Sequence, residues 1–123
     1  MRFIETDKAA AAVGPYSQAV DTGALVFVSG QLGLAPGTGE MAPGFAAQTR
    51  QALDNLRAIL GAAGLGLDAV AVVEVFLTDM GAFPEFNAIY AEFFSGHKPA
   101  RAVVEVSALP KGGLVEVKCT AAR

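Results

Sequence analysis

RAVVEVS at residues 101–107 and LVEVKCTA at residues 114–121, separated by ALPKGG, alternate in character with a period of two. That period marks a strand whose two faces meet different surroundings. One set of positions, Ala102, Val104, Val106, Val115, Val117 and Cys119, is uniformly small or apolar and predicts a face covered by helices. The other set, Arg101, Val103, Glu105, Ser107, Leu114, Glu116 and Lys118, mixes aliphatic groups with both signs of charge. The preceding β-rich run, AVAVVEVFLT at 69–78, adds Val70, Val72, Glu74 and Phe76 to the mixed set. Such a face is too apolar for bulk water and too charged for a private core. It predicts an interface between copies of the chain with a site inside it.

Working outward, residues 2–5 predict a short edge strand, and 16–21 and 24–29 two strands joined through Thr22-Gly23. Gly33 to Gly44 is a loop with four glycines and two prolines. From Phe45 to Ala63 apolar residues recur at three- and four-residue steps, a helix that Gly64 stops. A second helix begins near Pro84, with Phe86, Ile89, Tyr90, Phe93 and Phe94 on its inward side. The order β-β-β-α-β-α-β-β supplies two helices for about six strands, enough to cover one face of a sheet. The fold class is α+β, with residues 1–123 as a single domain.

Composition sharpens this picture. Hydrophobic residues make up 53% of the chain, charged residues only 17%, and mean hydropathy is +0.44. So few charges leave apolar surface to bury against another subunit. A net charge of −3 with no cluster of Lys or Arg argues against nucleic acid as a general partner. The lone Cys119, a start without an apolar leader and the lack of a membrane-length apolar run predict a cytoplasmic protein.

Several chemistries are excluded by what the chain lacks. One His and one Cys make no metal cluster, and there is no Walker loop, dinucleotide fingerprint or nucleophile elbow. His97, in Ser95-Gly96-His97-Lys98-Pro99, reads as an ordinary solvated loop histidine, and Cys119 as a small buried hydrophobe. The remaining candidates each carry two readings. Arg101 is either a bidentate receiver for a carboxylate or half of a surface ion pair. Glu116 is either a base with a raised pKa or the partner of Lys118 or Lys111 in a rim salt bridge. Tyr16 follows the rigid Gly14-Pro15 turn and either lines a pocket or packs. Asn87 caps locally or reaches a ligand, and Ser29-Gly30 ends a strand with a turn or an exposed N–H. If ALPKGG closes a hairpin, Arg101 lies opposite Thr120, Glu105 lies opposite Glu116, and Arg101 and Glu116 stand four residues apart along it, roughly 13 Å. One chain then cannot close both groups on a small substrate, and a second subunit has to contribute.

The ordered series Gly14-Pro15-Tyr16-Ser17-Gln18-Ala19, Val28-Ser29-Gly30-Gln31, Gln51-Ala52-Leu53-Asp54-Asn55-Leu56, Phe76-Leu77-Thr78-Asp79-Met80, Asn87 to Phe94, Pro99-Ala100-Arg101, Leu109-Pro110-Lys111 and Val115-Glu116-Val117 resembles the RidA (YjgF) family from about residue 12 to the C-terminus. The resemblance implies a chorismate-mutase-like fold: a sheet with two helices on one face, assembled as a homotrimer around the other. It implies cofactor-free hydrolysis of reactive enamines and imines, such as 2-aminoacrylate, to 2-oxo acids and ammonia, the intermediates coming from pyridoxal-phosphate enzymes. It implies that Arg101 binds the substrate carboxylate with backbone N–H groups of Gly30 and Val103. Glu116 of the adjacent subunit would act on the attacking water, and Tyr16, Ser29 and Asn87 would line the pocket. Two positions depart from the family pattern: Val103, where many members carry Cys, and Lys118, where an acid is common. The competing expectations are an endoribonuclease or translation inhibitor, and a non-catalytic module that binds 2-oxo acids or acts as a chaperone.

Overall fold

The computed structural model describes residues 1–123. Eight main elements follow one another as β1 (Arg2–Ile4), β2 (Ala19–Asp21), β3 (Leu25–Leu32), α1 (Phe45–Ala62), β4 (Val70–Leu77), α2 (Phe83–Phe93), β5 (Ala100–Glu105) and β6 (Val115–Ala122). The six strands form one sheet in the order β1-β2-β3-β6-β4-β5. All neighbours are antiparallel except β4 and β5, which run parallel because α2 carries the chain back between them.

Helix α1 buries Ala52, Leu53, Leu56, Ile59 and Leu60, the predicted stripe. It ends as expected at Gly64, which holds φ at 78° while the Leu65 N–H reaches back to the Leu60 carbonyl at 2.9 Å. From α2, Phe86 and Ile89 join the core with Phe94 just beyond the helix, while Tyr90 and Phe93 pack against it partly buried. Across from the helices lie Val26 and Val28 of β3, Val73, Val75 and Leu77 of β4, and Val115, Val117, Cys119 and Ala121 of β6, all buried. Both helices therefore cover one face, and the alternation read in β6 has the right phase.

The hairpin between the last two strands does not form. β4 lies between β5 and β6, and the intervening ALPKGG makes a short 3-10 turn with left-handed Lys111 and Gly112. With no pairing to β6, strand β5 takes its phase from β4: Val73 sits beside Arg101, Val75 beside Val103 and Leu77 beside Glu105. Arg101, Val103 and Glu105 thus share the helix-side face, and Val104, expected inside, is exposed on the other. A register shift between Val70 and Val72 likewise moves Val70 into the core, away from Val72, Glu74 and Phe76. The open face retains Phe27, Val72, Glu74, Phe76, Val104, Glu116, Lys118 and Thr120, apolar and charged groups together. No helix of the chain is long and apolar enough to cross a membrane.

Candidate active site

A cleft of about 490 Å³ opens beside β3 and β6, and Tyr16, Ser29, Gly30 and Glu116 all line it. A β-bulge makes the meeting possible. Val28 pairs with Cys119 and Gln31 with Val117, so the stretch through Ser29 and Gly30 carries one residue more than the opposing segment of β6. An extra residue re-aims the backbone. Here it brings Gly30 against the neighbouring carboxylate, so closely that a methyl group on Gly30 would lie 2.7 Å from Glu116 Oε1. Glycine is needed here for the approach.

The hydroxyls around the cleft are oriented by backbone partners. The Tyr16 oxygen accepts from the Val13 N–H at 3.1 Å, which leaves its own proton free to donate. The Ser29 hydroxyl donates to the Ser17 carbonyl at 2.7 Å and keeps its lone pairs for accepting. The segment carrying Tyr16 is itself tied down by buried Gln18, which accepts from the Thr6 N–H and donates to the Thr6 and Ala10 carbonyls. Partial burial raises the pKa of Glu116, and the Lys118 cation on the same strand face opposes the rise. Lys118 also lines the cleft, but its ion pair is with Glu74 at 3.4 Å, so the rim bridge to Glu116 is not made.

Arg101, Val103 and Asn87 are not in this cleft. Arg101 is three residues along β4 and two strands across from Glu116, on the opposite face, roughly 14 Å between backbones. Its guanidinium lies over the rings of Tyr90 at 4.7 Å, Phe83 at 5.7 Å and Phe86 at 5.9 Å. Arg2 and Arg123 pair with Asp21, Arg50 with Glu92 and Arg57 with Asp54; of the five arginines only Arg101 has no acidic partner. Its donors remain available to a ligand carboxylate, so the surface-ion-pair reading falls. Asn87 lies on α2 between Phe86 and Tyr90, two of the residues whose rings face Arg101, and is half-buried. The chain thus carries two groups, one holding a partly buried carboxylate and hydroxyls, the other a guanidinium with no acidic partner, each on its own side of the sheet.

One expectation changes and another holds. His97 is no solvated loop residue: its Nε2 donates to the Val70 carbonyl at 2.6 Å and pins the loop to the start of β4. Cys119 is the small buried hydrophobe expected, its thiol pushed up to about 12 by burial. The polar residues that sequence reasoning left out of the cleft include Gln18, Thr120, Lys118 and Gln31, the last buried beside the bulge. Only the place of Gln31 beside Ser29-Gly30 gave a hint of its role.

A family model described as Endoribonuclease L-PSP matches residues 6–123. The chain belongs to the RidA/YjgF family. It is 46% identical over 121 residues to the mouse 2-iminobutanoate/2-iminopropanoate deaminase, covering 98% of this chain and 90% of that one. The Escherichia coli protein of the same name is 45% identical, with 99% and 98% covered. Among solved structures, RidA from a Psychrobacter species superposes with a TM-score of 0.98 at 47% identity over the full length of both chains. E. coli TdcF with bound serine gives 0.96 at 40% identity, covering 100% of this chain and 99% of that one. Names within the RidA/YjgF family vary, and a Myxococcus xanthus relative 47% identical over 98% of this chain and 94% of its own is called Protein DfrA.

Proposed function

We propose that the protein hydrolyses reactive 2-imino and 2-enamino acids to 2-oxo acids and ammonia, in sites formed between subunits of a homotrimer. The observation that carries this reading is the split just described: a base-bearing cleft and an unpaired, cradled arginine lie on opposite faces of one sheet. Neither alone does the chemistry. Juxtaposing the open, partly apolar face of one subunit with the β5 edge of the next brings Glu116 of one toward Arg101 of the other.

In that arrangement Arg101 takes the substrate carboxylate bidentately, helped by N–H groups at Gly30 and Val103. Tyr16, Ser29 and Asn87 hydrogen-bond the substrate or the water. Glu116 takes a proton from the water as its oxygen bonds to the imine carbon. The nitrogen takes up that proton from the Glu116 carboxyl to give a carbinolamine. The carbinolamine hydroxyl then passes its proton through Glu116 to the nitrogen as the carbon–nitrogen bond breaks, so the nitrogen leaves as ammonia and the carbonyl of the 2-oxo acid remains. An imine carbon is already electrophilic, so positioning and one base lower much of the barrier. Relatives named for deamination of 2-iminobutanoate and 2-iminopropanoate, and one holding serine, itself an α-carboxylate, support the substrate class.

The test adds the protein to a pyridoxal-phosphate serine dehydratase that releases 2-aminoacrylate and follows pyruvate and ammonia. The expected result is acceleration over spontaneous hydrolysis by the wild type. Arg101→Ala should stay trimeric and lose about 10²-fold in kcat/KM, the scale of a lost charge-assisted pair. Trimeric wild-type protein that leaves the spontaneous rate unchanged refutes the proposal.

A further inference from the structure

We infer that the ring of Tyr90, with those of Phe83 and Phe86, holds the Arg101 guanidinium in the orientation that receives a carboxylate, which makes Tyr90 a positioning residue of the site. This rests on the proposed role of Arg101 as the carboxylate receiver. Arg101 hangs from β5, the outermost strand, with no acid to fix its side chain. A long side chain in that position would sample many rotamers and lose them on binding. The three aromatic faces take the place of an acid. They attract the cation through their negative π-clouds without occupying its N–H donors, which an acid would consume.

The rings are themselves rigidly mounted. Phe86, Tyr90 and Phe94 succeed one another at four-residue steps, the spacing of neighbours on one face of a helix. Their centroids lie 5.6 Å and 4.7 Å apart, the second pair stacked. Phe86 and Phe94 are buried, so Tyr90 is clamped from both sides. The Tyr90 hydroxyl is buried yet has no hydrogen-bond partner. The contact with Arg101 is made by the face of the Tyr90 ring, 4.7 Å from the guanidinium, and not by its oxygen.

The test compares Tyr90→Phe with Tyr90→Leu by two readouts. The first is the Arg101 Nε–H resonance, assigned by its loss in Arg101→Lys, which ring currents displace while the guanidinium sits on the faces. The second is steady-state kinetics with 2-aminoacrylate. Tyr90→Phe should keep the displaced resonance and a KM within about threefold of wild type. Tyr90→Leu should return the resonance to its solvent position and raise KM roughly tenfold, the size of a partly desolvated cation–π contact, with little change in kcat. A Tyr90→Leu protein with wild-type KM overturns the inference, as does a Tyr90→Phe protein damaged as badly as Tyr90→Leu. If Tyr90→Leu does not fold, Phe83→Leu, at a half-exposed site, carries the same comparison with a smaller shift in both readouts. Wild-type protein that shows the displaced resonance, lost in Tyr90→Leu, but does not hydrolyse imines defeats the proposed function and leaves the positioning intact.

Discussion

Gly30→Ala separates catalysis from folding. Gly30 does not hold a positive φ, so alanine meets no backbone objection. The new methyl would stand 2.7 Å from Glu116 Oε1 and 2.8 Å from its Cδ, with no backbone atom among the close neighbours. Ordinary contact needs about 3.5 Å, so the carboxylate must retreat by roughly 0.8 Å. A glutamate can do so by changing rotamer, at a cost of about 1 kcal/mol. The lower chain entropy of alanine in the unfolded state offsets about half of this or more. Thermal stability should therefore shift by about 1 kcal/mol at most. A base displaced by nearly an ångström loses about 10²-fold in rate, or about 2.7 kcal/mol of barrier. The assay is pyruvate formation from dehydratase-generated 2-aminoacrylate, read beside a melting curve and the oligomeric state. A Gly30→Ala protein with kcat/KM within twofold of wild type refutes the placement of Glu116 as the base.

Glu116→Gln should cost 10²- to 10⁴-fold in kcat, the range of a removed general base. Because burial raises the Glu116 pKa, its charged form disfavours the fold above that pKa. The sign follows: Glu116→Gln should melt higher than wild type near neutral pH, with the gap closing as the pH falls through the raised pKa towards 4.5; a lower melting temperature at pH 7 contradicts the assignment. Lys118→Met removes a cation that lowers the Glu116 pKa, so the acid limb of the kcat/KM profile should move to higher pH; a shift to lower pH shows that the ammonium acts otherwise. Asp21, hydrogen-bonded to Arg123 and to the Gly23 N–H, has its pKa lowered from 3.8 to about 2. It stabilises the fold above 3.8, and that contribution fades as the pH falls through about 2. Asp21→Asn should therefore melt lower at pH 7 and converge with wild type near pH 2, and parallel melting curves across that range count against the clamp.

The local patterns were legible without coordinates. The stripe from Ala52 to Leu60, the stop at Gly64, the start of α2 near Pro84 and the inward phase of Val115, Val117 and Cys119 depend on periodicities inside one continuous segment. Tertiary structure decided everything that relates one segment to another. The run ALPKGG looks long enough for a hairpin, but α2 returns the chain so that β5 pairs with β4, and that pairing sets which face Arg101 occupies. A strand one residue out of phase turns every side chain to the other face, and nothing within RAVVEVS records which phase its neighbour imposes. The bulge at Ser29-Gly30 is equally silent in sequence, since it exists only as a mismatch with Val117 to Cys119 more than eighty residues away. The residue types able to bind a carboxylate and move a proton were thus written in the chain. Their division between two faces came from strand pairing, because hydrogen-bond register belongs to pairs of segments and not to either segment alone.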